Sequence, residues 1–117
     1  MLVVSDHGAR SLVGGICVNE WLIQNGYLRI KESPTQPTSL DELTVDWDNT
    51  IAWGAGGYYA RIFINVKGRE PNGIVALKDY EAIRTELAEK LVEIPGPDGQ
   101  ALTNTAYKPQ QIYQRVR

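Results

Sequence analysis

The chain has 117 residues, with 12 Lys plus Arg, 14 Asp plus Glu, one His and one Cys. That length fits one domain burying roughly 65% of its unfolded surface. A formal charge of -2 with 43% hydrophobic residues excludes wholesale disorder and a general basic field for nucleic acid. A lone His excludes a complete multi-histidine metal centre from one copy, and Cys17 alone excludes an intrachain disulfide or a cysteine-based zinc site.

Leu2 to Ser5 is a short apolar, β-branched run that predicts a buried strand, as in a parallel sheet. It begins as a strand entered in the middle, so a preceding segment is expected in the natural chain. The first residues lack a basic region and a long apolar stretch, and no run approaches the ~20 residues of a membrane span. A cytoplasmic location is the expectation. Gly14-Gly15 marks a turn. Ile16 to Asn25 predicts a helix, with Val18, Trp21 and Leu22 on one face and Gly26 as its left-handed stop.

Tyr27 to Ile30 predicts a short strand. Residues 33–48 read as a surface loop or insertion, proline-containing at first and then acidic. Ile51 to Gly57 places Trp53 among Gly54, Gly56 and Gly57, which suggests close backbone approach or a mobile loop. Tyr59 to Val66 is the clearest strand and is expected to be interior. Lys67 to Gly73 is a charged loop. Asp79 to Glu93 is the clearest helix, with Ile83, Leu87 and Leu91 at four-residue spacing and Asp79 as N-cap. Gly96-Pro97-Asp98-Gly99 is a turn, and the tail from Tyr107 is polar. No internal repeat is present. Strands alternating with helical patterns give an α/β or α+β single domain over residues 1–117, with few strands for a free-standing sheet.

Asp6-His7 is the first chemical candidate. A carboxylate and an imidazole just after a strand are good ligands for zinc or manganese, and a turn lets adjacent residues reach one ion. The plain alternative is a loop-capping Asp beside a surface His. Lys67-Gly68-Arg69 is the second, because glycine opens the backbone to an anion and the flanking cations suit phosphate. Glu70 beside Arg69 gives the competing reading of a solvated ion pair. Gly54 to Gly57 matches neither a P-loop nor a dinucleotide fingerprint and reads as conformational. Ser11 forms no nucleophile elbow with His7. Cys17 reads as a core or half-buried cysteine, and Asp46 with Asp48 as solvated surface.

Val3-Val4-Ser5-Asp6-His7-Gly8 resembles the alkaline phosphatase superfamily. Asn19-x-Trp21-Leu22 with Gly26-Tyr27-Leu28, and Ile64-Asn65-Val66-Lys67-Gly68-Arg69-Glu70-Pro71-x-Gly73, resemble its type I phosphodiesterase/nucleotide pyrophosphatase branch. Tyr107-Lys108-Pro109 with Ile112-Tyr113 is similar to the end of that segment. The resemblance implies part of an alkaline-phosphatase-like sheet with flanking helices. It implies hydrolysis of phosphodiester or phosphoanhydride bonds through a covalent phosphoryl-enzyme intermediate, with two divalent ions, zinc or manganese. Asp6 and His7 would ligate the ion beside the nucleophile.

The family's nucleophile and its upstream Asp and Asp-x-x-x-His ligands have no counterpart in this sequence, and neither has its last His. The expectation is therefore a fragment of a phosphohydrolase, inactive alone, with no catalytic residue of its own. Lys67 and Arg69 are candidates to bind substrate. The parent's partner is a phosphate-ester or nucleotide substrate, with no nucleic-acid surface and no membrane. The alternative is a non-catalytic accessory or oligomerising domain. An exposed sheet edge would favour self-association in either case.

Overall fold

A computed structural model describes residues 1–9, 11 and 14–115. Val116 and Arg117, the end of the polar tail, lie outside the described residues. The architecture is a small α/β domain: helices set around a two-stranded antiparallel sheet. No described helix is long and apolar enough to cross a membrane.

Helix α1 spans Val18–Gln24, shorter at its start than the predicted Ile16–Asn25. Cys17 at the N-cap makes no side-chain bond and is exposed, so nothing holds an earlier turn and the expected burial of this cysteine is corrected. The stop falls where expected. Gly26 has φ 79°, a conformation open to glycine at little cost. It turns the chain so that Tyr27 and Leu28 both donate their N–H to the Leu22 carbonyl. Leu22 and Leu28 are fully buried, each contributing about 1.5–3 kcal/mol of transfer free energy. The predicted strand after this turn reduces to one bridge, Ile30 to Val45.

Strand β1 is Ala52–Ala55 and β2 is Arg61–Ile64, with Ala52 opposite Ile64, Trp53 opposite Phe63 and Gly54 opposite Ile62. One of the glycines of this segment, Gly54, lies in β1, where the expected close approach is realised. Asn19 explains how a Gly-containing segment holds strand geometry. Its Oδ1 accepts the Gly54 N–H at 2.7 Å and its Nδ2 donates to the Gly54 carbonyl at 2.9 Å. The amide thus seals the outer edge of β1 as a neighbouring strand would. Glycine suits that close approach, because an added Cβ would lie 3.1 Å from Asn19 Oδ1 and 3.3 Å from Val18 and would press both side chains outward by a few tenths of an ångström.

β2 is shorter than the predicted Tyr59–Val66. Tyr58 and Tyr59 sit in the hairpin turn, 92% and 78% exposed. Among the described residues the sheet has two strands, so β2 is an edge strand there and not an interior one. The predicted strand at Leu2–Ser5 is also corrected. Leu2, Val3 and Val4 are exposed and pair with no described strand, and a β-branched run without a partner has no ladder to join. The Cα radius of gyration, 17.0 Å, exceeds the ~13 Å of a compact domain of this length. Every described residue from Met1 to Cys17 is exposed.

The core joins Leu22, Tyr27, Leu28, Ala52, Ile64, Val66, Val75 and Leu87. Helix α2 is Tyr80–Val92, as predicted to within a residue. It buries Leu87, with Ile83 packed against the core. Asp79 occupies its N-cap position as expected. It ends a 3₁₀ turn at Leu77–Asp79 and its side chain makes no capping bond. The Tyr27 hydroxyl donates to Glu86, and Lys90 Nζ donates to Tyr27 Oη at 2.9 Å and Glu86 Oε1 at 2.8 Å. This ties the α1 turn to α2. The tail holds a short helix that the sequence reading missed, α3 at Pro109–Ile112. Lys108 before it donates to Glu81 Oε1 at 2.6 Å and Thr85 Oγ1 at 2.8 Å.

Candidate functional site

Asp6 and His7 lie in the exposed N-terminal segment, with side chains 88% and 79% accessible. His7 Nδ1 is 3.0 Å from the Gly8 carbonyl. A carbonyl only accepts, so Nδ1 carries a proton, and the neutral ring then presents the lone pair of Nε2. That Nε2 lies 3.6 Å from Asp6 Oδ2. Two tetrahedral ligand atoms on zinc lie about 3.3 Å apart, close to this separation. Ser5 Oγ donates to the His7 carbonyl at 2.5 Å. Among the described residues there is no group of three or more His, Cys, Asp or Glu that could hold a metal.

The loop after β2 has a different character. Glu70 Oε2 accepts the Val66 N–H at 2.7 Å, and Glu70 Oε1 accepts Arg69 Nε at 2.7 Å. Arg69 also donates to the Ile64 carbonyl at 2.9 Å and lies over the Tyr80 ring. The hydrogen bond that Arg69 donates to Glu70 is the main cause that raises the guanidinium pKa. Lys67 is exposed, and its ammonium has no hydrogen-bond or ion-pair partner among the described residues. Gly73 allows the loop to close, because a Cβ there would fall 2.0 Å from the Val66 carbonyl oxygen. The structure thus places Lys67 and Arg69 on one turn. It relates neither of them to Asp6 and His7 through any contact among the described residues.

Asn65 organises this turn from beneath. It is 1% exposed. Its Nδ2 donates to the carbonyls of Trp47, Thr50 and Asn72 at 2.9–3.0 Å. Its backbone N–H bonds the Ile51 carbonyl, and its own carbonyl accepts from Ile74 and Val75. Two other segments, Trp47–Thr50 and the loop at Asn72, converge on this one side chain. Above it stand Trp47 and Trp53, edge to face at 5.1 Å, with Phe63 stacked on Trp53 at 5.5 Å. The two indoles wall a hollow of about 270 Å³ with Asn65, Glu70, Pro71 and Asn72, and a second of about 440 Å³ that includes Asn19, Leu40 and Asp41.

The sequence reading gave Asn19 and Asn65 no role beyond their places in the resemblance motifs, and Trp47 none at all. The usable signal was an Asn inside an apolar strand run, since a buried amide must find partners.

A profile of the family described as type I phosphodiesterase / nucleotide pyrophosphatase matches residues 1–117. No curated protein and no solved structure gives a match.

Proposed function

The chain belongs to the type I phosphodiesterase / nucleotide pyrophosphatase family, and from that premise we propose that it serves metal-dependent hydrolysis of phosphodiester or phosphoanhydride bonds, supplying one ligand pair, Asp6 and His7. The 3.6 Å approach of His7 Nε2 to Asp6 Oδ2, with Nδ1 held by Gly8, carries the reading. A bound zinc or manganese ion would supply Lewis acidity and offset charge on a phosphoryl group. The chain's own part is to set the imidazole tautomer through Gly8 and to hold the carboxylate beside it. Lys67 contributes a free ammonium to the phosphate, and Arg69 has only its remaining nitrogen to offer. The chain alone lacks a nucleophile and four of the metal ligands the family resemblance implies, so it is inactive by itself. The substrate is a phosphate ester or nucleotide.

Two donors leave a tetrahedral ion half-coordinated, so binding to the isolated chain is weak. Titrating zinc into the protein should move the His7 imidazole resonances at millimolar metal, and Asp6→Ala should weaken that response roughly tenfold or more. No turnover of bis(4-nitrophenyl) phosphate is expected. A His7 signal that ignores zinc, or an Asp6→Ala variant that responds like the parent, overturns the ligand assignment. Steady hydrolysis by the chain alone overturns the half-site.

A further inference from the structure

The two edges of the sheet are not alike. Along β1 the outward groups are taken. The Ala52 N–H bonds the Tyr27 carbonyl, and both backbone groups of Gly54 bond the Asn19 amide. In an antiparallel pair, residues directly opposite each other face inward together or outward together. Ala52 lies opposite Ile64 and Gly54 opposite Ile62, so Ile62 and Ile64 are the outward positions of β2. The Ile64 carbonyl accepts from Val66 and Arg69. The Ile62 N–H, the Ile62 carbonyl and the Ile64 N–H have no partner among the described residues. A strand edge with free backbone groups is a template for another strand.

The chain itself carries a segment that suits this edge. Leu2, Val3 and Val4 are 88%, 79% and 82% exposed. They join no described strand, and their backbone groups make no hydrogen bond among the described residues. We propose that Leu2–Ser5 of one copy adds as a third strand to the β2 edge of a second copy, and that the exchange is reciprocal. The lengths match, because β2 has four residues. So does the apolar character of both faces. Ile62 and Ile64 pack toward the core, while Phe63 stacks on Trp53 and is 40% exposed. Leu2 and Val4 take one face of an added strand and Val3 the other, so each face of β2 meets an aliphatic side chain. A half-polar strand would satisfy only one of them. Two such additions bury on the order of 1,000 Å², the lower limit of a specific interface. The dimer is therefore weak, and it needs no metal at Asp6 and His7.

Sedimentation in the presence of chelator tests this, because no ion can then link the Asp6-His7 pairs of two copies. A dimer should form with a dissociation constant on the order of 0.1 mM. In either register of the added strand, the N–H of Val3 or of Val4 faces β2, and proline removes it. The Val3→Pro/Val4→Pro variant should therefore dimerise roughly tenfold more weakly or worse. Both residues are exposed in the single copy, so its unfolding curve should match the parent's. Hydrogen exchange reads the edge directly. From ~10 μM to ~1 mM protein the Ile62 N–H should slow roughly fourfold. The Gly54 N–H, sealed by Asn19 within each copy, should not change. A clean monomer at ~1 mM overturns the proposal. An Ile62 N–H protected equally at every concentration does the same, because the segment would then close on its own sheet. A dimer undiminished in the proline variant overturns the donated strand in favour of two β2 edges pairing with each other. The zinc response of His7 is measured separately on the same protein, so the two readings fail separately.

Discussion

Replacing Gly73 with Ala tests whether the turn after β2 is as closed as its geometry implies. The new methyl carbon would lie 2.0 Å from the Val66 carbonyl oxygen, 2.4 Å from its carbon and 2.7 Å from the Lys67 nitrogen. All three are backbone atoms, so no side chain can swing aside. Relief requires the Val66–Lys67 and Gly73–Val75 segments, joined by an isolated bridge from Val66 to Val75, to separate. That separation strains the Lys67 N–H to Val75 carbonyl bond at 2.8 Å and the two N–H groups, of Ile74 and Val75, that converge on the Asn65 carbonyl. Losing two such bonds costs about 1–3 kcal/mol, and residual overpacking adds about 1–3 kcal/mol. The expected loss is about 3–4 kcal/mol, a large share of the roughly 5–15 kcal/mol of a small domain. Two other glycines calibrate it. At Gly68, with φ 84° and open space, Ala should cost about 1–2 kcal/mol from left-handed backbone alone. At Gly57, where a Cβ meets nothing and φ is unrestricted, the change should stay within about 0.5 kcal/mol. Urea unfolding followed by circular dichroism measures all three. A Gly73→Ala variant within about 1 kcal/mol of the parent, or no more harmful than Gly68→Ala, refutes the closed turn.

Asn19→Ala removes both bonds that seal Gly54 and should cost about 2–3 kcal/mol, read by the same unfolding curves. It should also loosen the β1 edge, seen as faster hydrogen exchange at Gly54. Tyr27→Phe deletes the hydroxyl that Glu86 accepts from and Lys90 donates to, with an expected loss of about 1 kcal/mol and no change in denaturant m-value. The pH dependence follows from Glu81, held low first by Lys108 and then Arg84, and from Glu86, held low first by Lys90 and then Tyr27. A depressed carboxyl stabilises above its unfolded value of 4.5 and loses that contribution as pH falls through the lower folded value. Stability should therefore hold from neutral pH down to about that point and fall below it. Lys108→Ala should flatten the fall, and a curve unchanged by that variant would remove Glu81 from the account.

The helices were legible because their signals are local. Leu87 with Ile83 and Leu91 sets a stripe that only a helix can bury on one side, and Gly26 marks a stop that few other residues can make. The strands depend on partners, which no window of sequence contains. Leu2 to Ser5 has a strong β composition yet is exposed and joins no described strand. Ala52 to Ala55 has a weak one and forms a strand because Asn19, 35 residues away from Gly54, supplies the missing edge. The short helix at Pro109–Ile112 escaped for a similar reason. Its position is set by Lys108 reaching Glu81 and Thr85 on α2, and four polar or mixed residues carry no period to detect.

The candidate site divides along the same line. Asp6 and His7 could be paired from sequence because they are adjacent, and their mutual geometry needs only the local turn made by Ser5 and Gly8. Asn65 could not be placed beside Trp47, because the link is a side-chain amide meeting carbonyls 18, 15 and 7 residues away. Arg69 shows how the two kinds of information combine. As a sequence symbol it is a cation beside a glycine, suited to phosphate. In the fold, Glu70 takes its Nε, the Ile64 carbonyl takes one terminal nitrogen, and Tyr80 stands under the plane. Each of these contacts also fastens the turn that carries Lys67. Any phosphate drawn to that turn would therefore meet one free cation on a braced support, because the second cation is already engaged in bracing it.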